Sequence, residues 1–183
     1  MIGIIDGGQK IVGNGLVMHL DAAQSRSYSG SGTIWRDLSG ENRTGSLLNG
    51  LETGFTLENG GGFRFDGSND RWQASFLPRT ASFTIEVITR YATNSLYLET
   101  VCGAGSYYDG NDSMGWGFLS AGGDAYTSFY IRSRSIAYSV DVLATPSINQ
   151  TFYYFAGTRE YVGGQERIAG YRNGVLINNA VVS

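Results

Sequence analysis

The chain has 183 residues and a net charge of −3, so it is long enough for one well-cored domain. It contains no basic run, and this excludes the electrostatic footprint of a nucleic-acid-binding protein. No apolar run approaches the roughly 18 residues of a membrane-spanning helix, so we predict no membrane partner either. The 27 glycines, 12 tyrosines and 9 phenylalanines suit short strands joined by tight turns.

No targeting signal is predicted in the N-terminal segment. Residues 1–14 are predicted to be a lead-in, and residues 15–183 to form one domain. Met1 to Asp6 contains neither a basic region nor the 7–15-residue apolar stretch that a signal peptide needs. With Met1 as the start, we expect a protein that stays in the cytoplasm where it is made, or leaves by assembly or lysis.

Short strands and turns are predicted through the first third of the chain. Asn14-Gly15 reads as a turn, and the apolar run Leu16–Leu20 as the first strand. Residues 34–40 read as a short turn held by Trp35 and Leu38. Short strands are then predicted at Leu47-Leu48 and at residues 55–57.

The central stretch has the clearest strand pattern. Phe63 and Phe65 lie two apart and so share one face of a strand, and the turn formers of residues 66–70 follow. In residues 82–91, apolar side chains alternate with polar ones, which is typical of a half-buried antiparallel strand. Five side chains are therefore predicted to be buried between two sheets: Phe63, Phe65, Phe83, Ile85 and Val87.

The second half of the chain also reads as strands, and no segment of useful length shows a persistent 3.6-residue apolar period. Asn173-Gly174 is the strongest hairpin signal and should connect Glu166–Arg172 to Val175–Val182. We therefore predict an all-β fold, an antiparallel β-sandwich or jelly roll. The other strands are predicted at residues 96–102, 116–121, 125–133, 135–143, 151–158 and 166–172.

The single cysteine and the single histidine are predicted to be structural. Cys102 alone excludes an internal disulfide, and its strand-like apolar surroundings favour a buried thiol over a nucleophile. His19 lies in the first predicted strand, with no catalytic cysteine or serine motif nearby. The sequence also lacks a Gly-x-Ser-x-Gly elbow, a zinc spacing and a phosphate loop.

Five motifs resemble those of laminin-G-like, concanavalin A-like jelly-roll domains, and they stand in the order of that family. The resemblance covers residues 15–177 and implies a concanavalin A-like jelly roll. The motifs are Gly15-Leu16-Val17-Met18-His19-Leu20-Asp21-Ala22; Trp35-Arg36-Asp37-Leu38-Ser39-Gly40 with Asn42; Phe65-Asp66-Gly67-Ser68-Asn69-Asp70; Ser82-Phe83-Thr84-Ile85-Glu86; and Tyr171-Arg172-Asn173-Gly174-Val175-Leu176.

This set of motifs is similar to jelly rolls of bacteriophage structural proteins and of bacterial surface proteins. It implies a virion structural protein, such as a capsid decoration, neck or fibre component, that acts in assembly and in attachment to host glycans. The alternative is a carbohydrate-binding module of a bacterial surface or secreted protein, located outside the cell or on its surface. A glycosidase ranks third, because the strand that carries two Glu residues in laminarinase-type enzymes reads Glu86-Val87-Ile88-Thr89 here. Glu86 alone is read as an outward-facing or hydrogen-bonded residue, and no enzyme activity is predicted.

The loop of residues 104–116 is the best candidate for a binding site, since it combines aromatic rings with Asp and Asn side chains. It suits either a glycan or a protein partner, and core packing is an equal alternative for its Trp. No cofactor is predicted to be required. Two alternatives stay open for the Asp and Asn side chains of this loop: a calcium ion bound at the rim of the sandwich, and a solvated turn without a metal. The turn of residues 66–70 is similarly ambiguous. The binding candidates are Tyr107, Tyr108, Asp109, Asn111, Asp112 and Trp116, and the calcium candidates are Asp109, Asn111 and Asp112.

The last predicted strand has a further implication. Similar jelly rolls continue past the Asn-Gly hairpin to a closing strand, which this sequence lacks. Val175–Val182 is apolar, uncharged and free of Pro, and an open edge of this kind invites pairing. We therefore expect Leu16–Leu20 or Val175–Val182 to meet a continuation of the chain, another virion protein or an identical subunit.

Overall fold

The computed structural model describes residues 13–66, 68–74, 82–90, 99–104, 115–121, 126–133, 136–143 and 152–182. Contacts within the chain divide it into two compact units, Met1–Pro78 (unit 1) and Arg79–Ser183 (unit 2). Each unit is described by itself, and the assignment of residues 15–183 to one domain stays a prediction.

Among the described residues there is no α-helix, and every strand pairing is antiparallel. The prediction of an all-β antiparallel fold is thus confirmed at this level.

The described residues of unit 1 form five short strands. Its three-stranded sheet has the order β1-β2-β5, and β3 pairs with β4 in a separate ribbon. Two single 3₁₀ turns, Leu51–Gly54 and Glu58–Gly60, lie between the strands. The strands are β1 (Ile34–Trp35), β2 (Gly45–Leu48), β3 (Phe55–Thr56), β4 (Gly62–Phe63) and β5 (Arg71–Gln73).

The core of unit 1 is built on aromatic rings. Tyr28, Leu47 and Leu51 are fully buried, and four half-buried aromatic residues pack against them. The Tyr28 ring lies 4.8 Å from that of Phe63, close to edge-on, and its hydroxyl donates a hydrogen bond to the carbonyl oxygen of Gly32 at 2.9 Å. Aromatic pairs of this kind stabilise a core by more than the apolar area that they bury accounts for. They suit unit 1, in which the strands are short. The half-buried members are Trp35, Phe55, Phe63 and Trp72.

Within the part of unit 2 that the structure describes, eight longer strands form two four-stranded sheets. The first sheet has the order β10-β9-β8-β7 and the second the order β13-β12-β11-β6. The strands are β6 (Phe83–Thr89), β7 (Glu99–Ala104), β8 (Gly115–Ala121), β9 (Tyr126–Ser133), β10 (Ile136–Leu143), β11 (Tyr153–Val162), β12 (Gln165–Arg172) and β13 (Val175–Val182).

The two sheets of unit 2 share one core. Buried side chains of the first sheet meet buried side chains of the second, and the rings of Phe118 and Phe155 lie 5.7 Å apart. Alternate residues of β6 pack against this core, as the period-2 pattern predicted: Phe83, Ile85 and Val87. The fully or almost fully buried members are Phe118, Phe129, Ile131, Val140, Val142, Tyr153, Phe155 and Ile168.

Two glycines let the sheets of unit 2 approach each other closely. Gly157 and Gly170 are direct partners on β11 and β12, and both lie on the core face. A Cβ atom on Gly157 would overlap the Phe129 ring, and one on Gly170 would overlap Val142. Side chains of the facing sheet therefore occupy the space that a Cβ atom would take at these two positions, and only glycine leaves that space free.

The predicted hairpin at Asn173-Gly174 is confirmed. β12 and β13 pair from Glu166↔Val182 to Arg172↔Val175, and the turn residues have φ of 51° and 80°. These values fit the type I′ turn that suits a two-residue hairpin. A second turn of this kind, Gly163-Gly164 with φ of 62° and 82°, joins β11 to β12.

The prediction of a strand at Leu16–Leu20 is wrong. This segment joins no sheet, because its backbone groups bond to side chains and to the turn of residues 36–43. The N–H of His19 donates to Asp37 Oδ1 at 2.9 Å, and its carbonyl oxygen accepts from the N–H of Leu38 at 2.8 Å. The Arg43 guanidinium donates to the carbonyl oxygen of Val17.

The predicted burial of Phe63 and Phe65 between the two sheets also needs correction. The strand ends at Phe63, which packs into the core of unit 1. Phe65 is 51% exposed. Pairing with β3 stops after two residues, so the alternation that Phe65 was expected to continue is lost.

Candidate functional site

The sequence-predicted binding loop lies largely outside the described residues. This applies to Tyr107, Tyr108, Asp109, Asn111 and Asp112, the last three of which are also the calcium candidates. Trp116 is described: it is half-buried in β8, packs against the core of unit 2 and lies 5.8 Å from the Phe83 ring. Its surroundings are those of a core residue, the alternative that the sequence left open.

No group of three or more His, Cys, Asp or Glu side chains in the described ranges is placed to hold a metal ion. In the turn of residues 66–70, Asp66 Oδ1 accepts the backbone N–H groups of Ser68 at 2.8 Å, Asn69 at 3.3 Å and Asp70 at 3.4 Å. These bonds lower the pKa of Asp66 below its ordinary value. The carboxylate is thus engaged in holding the turn, which is the backbone role that Asp favours there.

Asp37 organises the polar side of unit 1. Its carboxylate accepts four hydrogen bonds: from the N–H groups of His19, Ser39 and Arg43 and from the hydroxyl of Ser39, at 2.7–3.0 Å. Burial acts to raise the pKa of Asp37, but these bonds outweigh it, and the pKa lies below the ordinary value. One side chain therefore holds the turn of residues 37–43 and ties it to the segment around His19.

We expect Asp37→Asn to lower the free energy of unfolding of unit 1 by about 2 kcal/mol, since it removes charge-assisted bonds. The lowered pKa means that the wild-type contribution is present above about pH 4 and is lost as pH falls through the folded pKa. Urea unfolding followed by tryptophan fluorescence at pH 7 and at pH 2–3 measures both effects. Asp66→Asn, at an exposed turn, is the control and should cost less; equal losses for both variants would contradict the assignment.

The outer face of the second sheet of unit 2 combines exposed apolar, aromatic and acidic side chains. Because Tyr153 and Phe155 face the core, Tyr154 faces outward, and strand register places its neighbours beside it. We define the outer face by five residues. They are Glu86, Ile88, Tyr154, Tyr171 and Leu176.

Register fixes the layout of the outer face. Ile88, 70% exposed, lies directly opposite Tyr154, while Glu86 and Tyr171 flank Ala156 from its two sides. Leu176, 49% exposed, lies opposite Tyr171 and extends the row to β13. Cross-strand neighbours of this kind stand within contact of one another. The result is a flat row of rings and aliphatic groups with one carboxylate at its side.

Glu86 and Tyr154 form the polar pair of the outer face. Burial, a hydrogen bond to the Glu86 carboxylate and the negative charge of that carboxylate together raise the pKa of Tyr154 to about 12. Glu86 itself is exposed. The prediction that Glu86 is outward-facing or hydrogen-bonded is therefore confirmed.

Glu86→Gln should lower the pKa of Tyr154 toward the ordinary tyrosine value of about 10, because it removes a negative charge from beside the phenolate. NMR of chains with carbon-13 at the tyrosine Cζ measures the titration, and Tyr154→Phe assigns the resonance. The raised pKa also means that stability falls between about pH 10 and pH 12, as the unfolded chain ionises first. A Tyr154 that titrates near pH 10 in the wild type would contradict the pairing.

A carboxylate pair of the kind used by glycosidases requires a second acid near Glu86. Glu86 faces Ala156 directly on β11. The nearest described acid on the same face of β11 is Glu160, four positions beyond Ala156, which is roughly 13 Å along a strand. Catalytic pairs stand about 5–10 Å apart, so Glu86 and Glu160 do not have that spacing.

Cys102 and His19 both have structural roles. Cys102 packs against the core of unit 2, and burial raises the pKa of its thiol to about 12 although the N–H of Phe118 acts in the opposite direction. The thiol therefore stays protonated at neutral pH, which supports the prediction of a core cysteine. His19 joins the Asp37 network through its backbone groups.

Comparison of the chain with models of protein families, with curated proteins and with solved structures gave no match. No helix within the described ranges is long and apolar enough to cross a membrane. The site must therefore be judged on its own geometry.

Sequence reasoning did not assign four members of the outer face: Ile88, Tyr154, Tyr171 and Leu176. The period-2 pattern around Glu86 separates the two faces of β6. That pattern is the sequence signal that places Ile88 on the same face as Glu86. The register between β6, β11 and β12, which brings Tyr154 and Tyr171 to the same surface, is not encoded in any local pattern.

Proposed function

We propose that the protein is a non-enzymatic structural component of a bacteriophage virion, such as a capsid decoration, neck or fibre protein, made in the host cytoplasm. It would act through its surfaces, in assembly with other virion proteins or identical subunits and in attachment to host glycans. The observation that carries the non-enzymatic part is the outer face. It offers rings, aliphatic groups and one carboxylate held by Tyr154, which suits contact rather than hydrolysis.

We further propose that unit 2 belongs to a laminin-G-like, concanavalin A-like jelly roll. Two antiparallel four-stranded sheets with a shared core support this, as does the position of two motifs of the resemblance. Residues 83–86 begin β6, and residues 171–176 form the β12–β13 hairpin. The virion role itself is supported by the resemblance of the five motifs.

A carbohydrate-binding module is the second candidate. Tyr154 and Tyr171 favour it, since sugar rings stack on aromatic faces and hydroxyl groups bond to a carboxylate such as that of Glu86. A bound calcium ion at Asp109, Asn111 and Asp112 would fit either candidate. The melting temperature measured with calcium and then with a chelator tests that site.

Glycan binding and hydrolysis can be separated with one variant. We expect no release of reducing sugar from β-glucans by the wild type. Where a glycan array detects a ligand, Glu86→Gln should retain binding within a few-fold. Turnover of a β-glucan by the wild type that Glu86→Gln removes would overturn the non-enzymatic proposal. Tight binding of a free polysaccharide, without association with particles, would favour the carbohydrate-binding module.

A further inference from the structure

An exposed apolar strand forms one edge of the second sheet of unit 2. β13 pairs with β12, and no described residue pairs with its other side. Val175 is 62% exposed and Val181 is 51% exposed, and Leu176 and Ile177 are exposed as well. A strand in this position presents a row of unpaired N–H and C=O groups to any extended chain that meets it.

β13 lacks two of the features that normally block edge pairing, charged side chains and proline. Its sequence, Val-Leu-Ile-Asn-Asn-Ala-Val-Val, contains no charge and no proline. Its one irregularity lies opposite Gly170/Tyr171, near its beginning, and leaves Asn178–Val182 regular. The opposite edge of the sheet, β6, differs in carrying Glu86. Charged side chains, prolines and bulges are the usual protections of an edge, so β13 is the less protected of the two.

The side chains of β13 are complementary to those of an antiparallel copy of the same strand. Apolar triplets, Val175–Ile177 and Ala180–Val182, flank the central pair Asn178-Asn179. Reversing the strand leaves this order of apolar, amide and apolar groups unchanged. In a two-fold antiparallel pair centred on Asn179, the two Asn179 amides therefore lie opposite each other, with apolar residues of both strands on either side of them. Because an amide both donates and accepts hydrogen bonds, it can pair with its own kind.

We propose that β13 is the surface through which two copies of this chain associate, with the two strands antiparallel about a two-fold axis. Closed two-fold pairs use the same patch on both subunits, and a self-complementary strand meets that condition. The partner is a second copy rather than a charged peptide, since β13 offers no charge for such a peptide to pair with. The inference concerns the chain in solution and holds whether or not the chain belongs to a virion.

Light scattering coupled to size-exclusion chromatography tests this association over a range of micromolar concentrations. The wild type should form a dimer, and the double variant Leu176→Lys/Val181→Lys should weaken it by at least about tenfold, since it places like charges close together across the pair. Val162→Lys, at a residue of β11 that is 54% exposed, is the matched control and should leave the dimer unchanged. Near-ultraviolet circular dichroism confirms that each variant is folded.

Three results would overturn the proposal: a wild type that stays monomeric, a dimer that persists in the β13 double variant, or a dimer that is disrupted by Val162→Lys alone. Cross-linking gives a second readout. Asn179→Cys should form a disulfide-linked dimer under mild oxidation, while Glu160→Cys, exposed on β11, should not. The native Cys102 stays protonated and does not compete. Equal cross-linking at both introduced positions would count against a β13 interface.

Discussion

Phe155→Ala should lower the free energy of unfolding by about 4 kcal/mol, the largest effect that we expect from a single substitution. Phe155 is 0% exposed and is the third residue of β11. Its ring stacks on Tyr153 at 5.6 Å and lies 5.7 Å from Phe118 on the facing sheet. Removing it leaves a cavity between the two sheets that the surrounding rings cannot fill. Urea unfolding followed by far-ultraviolet circular dichroism measures the loss.

The matched control for this prediction is Phe152→Ala. Phe152 precedes the same strand but is 43% exposed, and its ring is covered by the Arg90 guanidinium at 5.2 Å. This change should cost less than about 1 kcal/mol, because only a surface cation–π contact is lost. Equal losses for both variants would show that Phe155 does not occupy the core of unit 2.

Gly157→Ala should cost about 3 kcal/mol, although it adds only one methyl group. The added Cβ would lie against the Phe129 ring, 2.5 Å from Cγ, and the neighbouring strands leave no room for the backbone to retreat. Gly170→Ala should behave similarly, through Val142. Thermal unfolding and urea unfolding of the two variants measure the effect.

Two further variants test the cause of this loss. Gly62→Ala makes the same change in a strand where nothing lies within 4 Å of the added Cβ, and it should alter stability by less than about 1 kcal/mol. Phe129→Leu combined with Gly157→Ala should cost less than the sum of the two single changes, since a smaller side chain makes room for the methyl group. Strict additivity would argue against contact between Gly157 and Phe129.

The strands of unit 2 were predictable because each carries its own local signal. Alternation in Phe83–Thr89 separates a core face from an outer face, and Asn173-Gly174 sets both the turn and the register of the last hairpin. β11 extends to Val162, four residues beyond its predicted end. The compact Gly163-Gly164 turn lets the pairing with β12 continue up to Val162 and Gln165, the residues that flank the turn.

Unit 1 was less predictable, because side chains rather than strand ladders hold it together. Leu16–Leu20 has the composition of a strand, but its backbone partners are the carboxylate of Asp37, the N–H of Leu38 and the guanidinium of Arg43. Local patterns do not reveal bonds over such sequence distances. The outer face was missed for the same reason, since the neighbourhood of Glu86, Tyr154 and Tyr171 depends on register across three strands.

Virion occupancy is measured most directly by quantitative mass spectrometry of particles purified by density gradient from a lysate of the source. The proposed function predicts that the chain copurifies with the particles at a fixed ratio to the major capsid protein and resists a high-salt wash. A chain that is abundant in the soluble fraction of the same lysate but absent from the washed particles would contradict it.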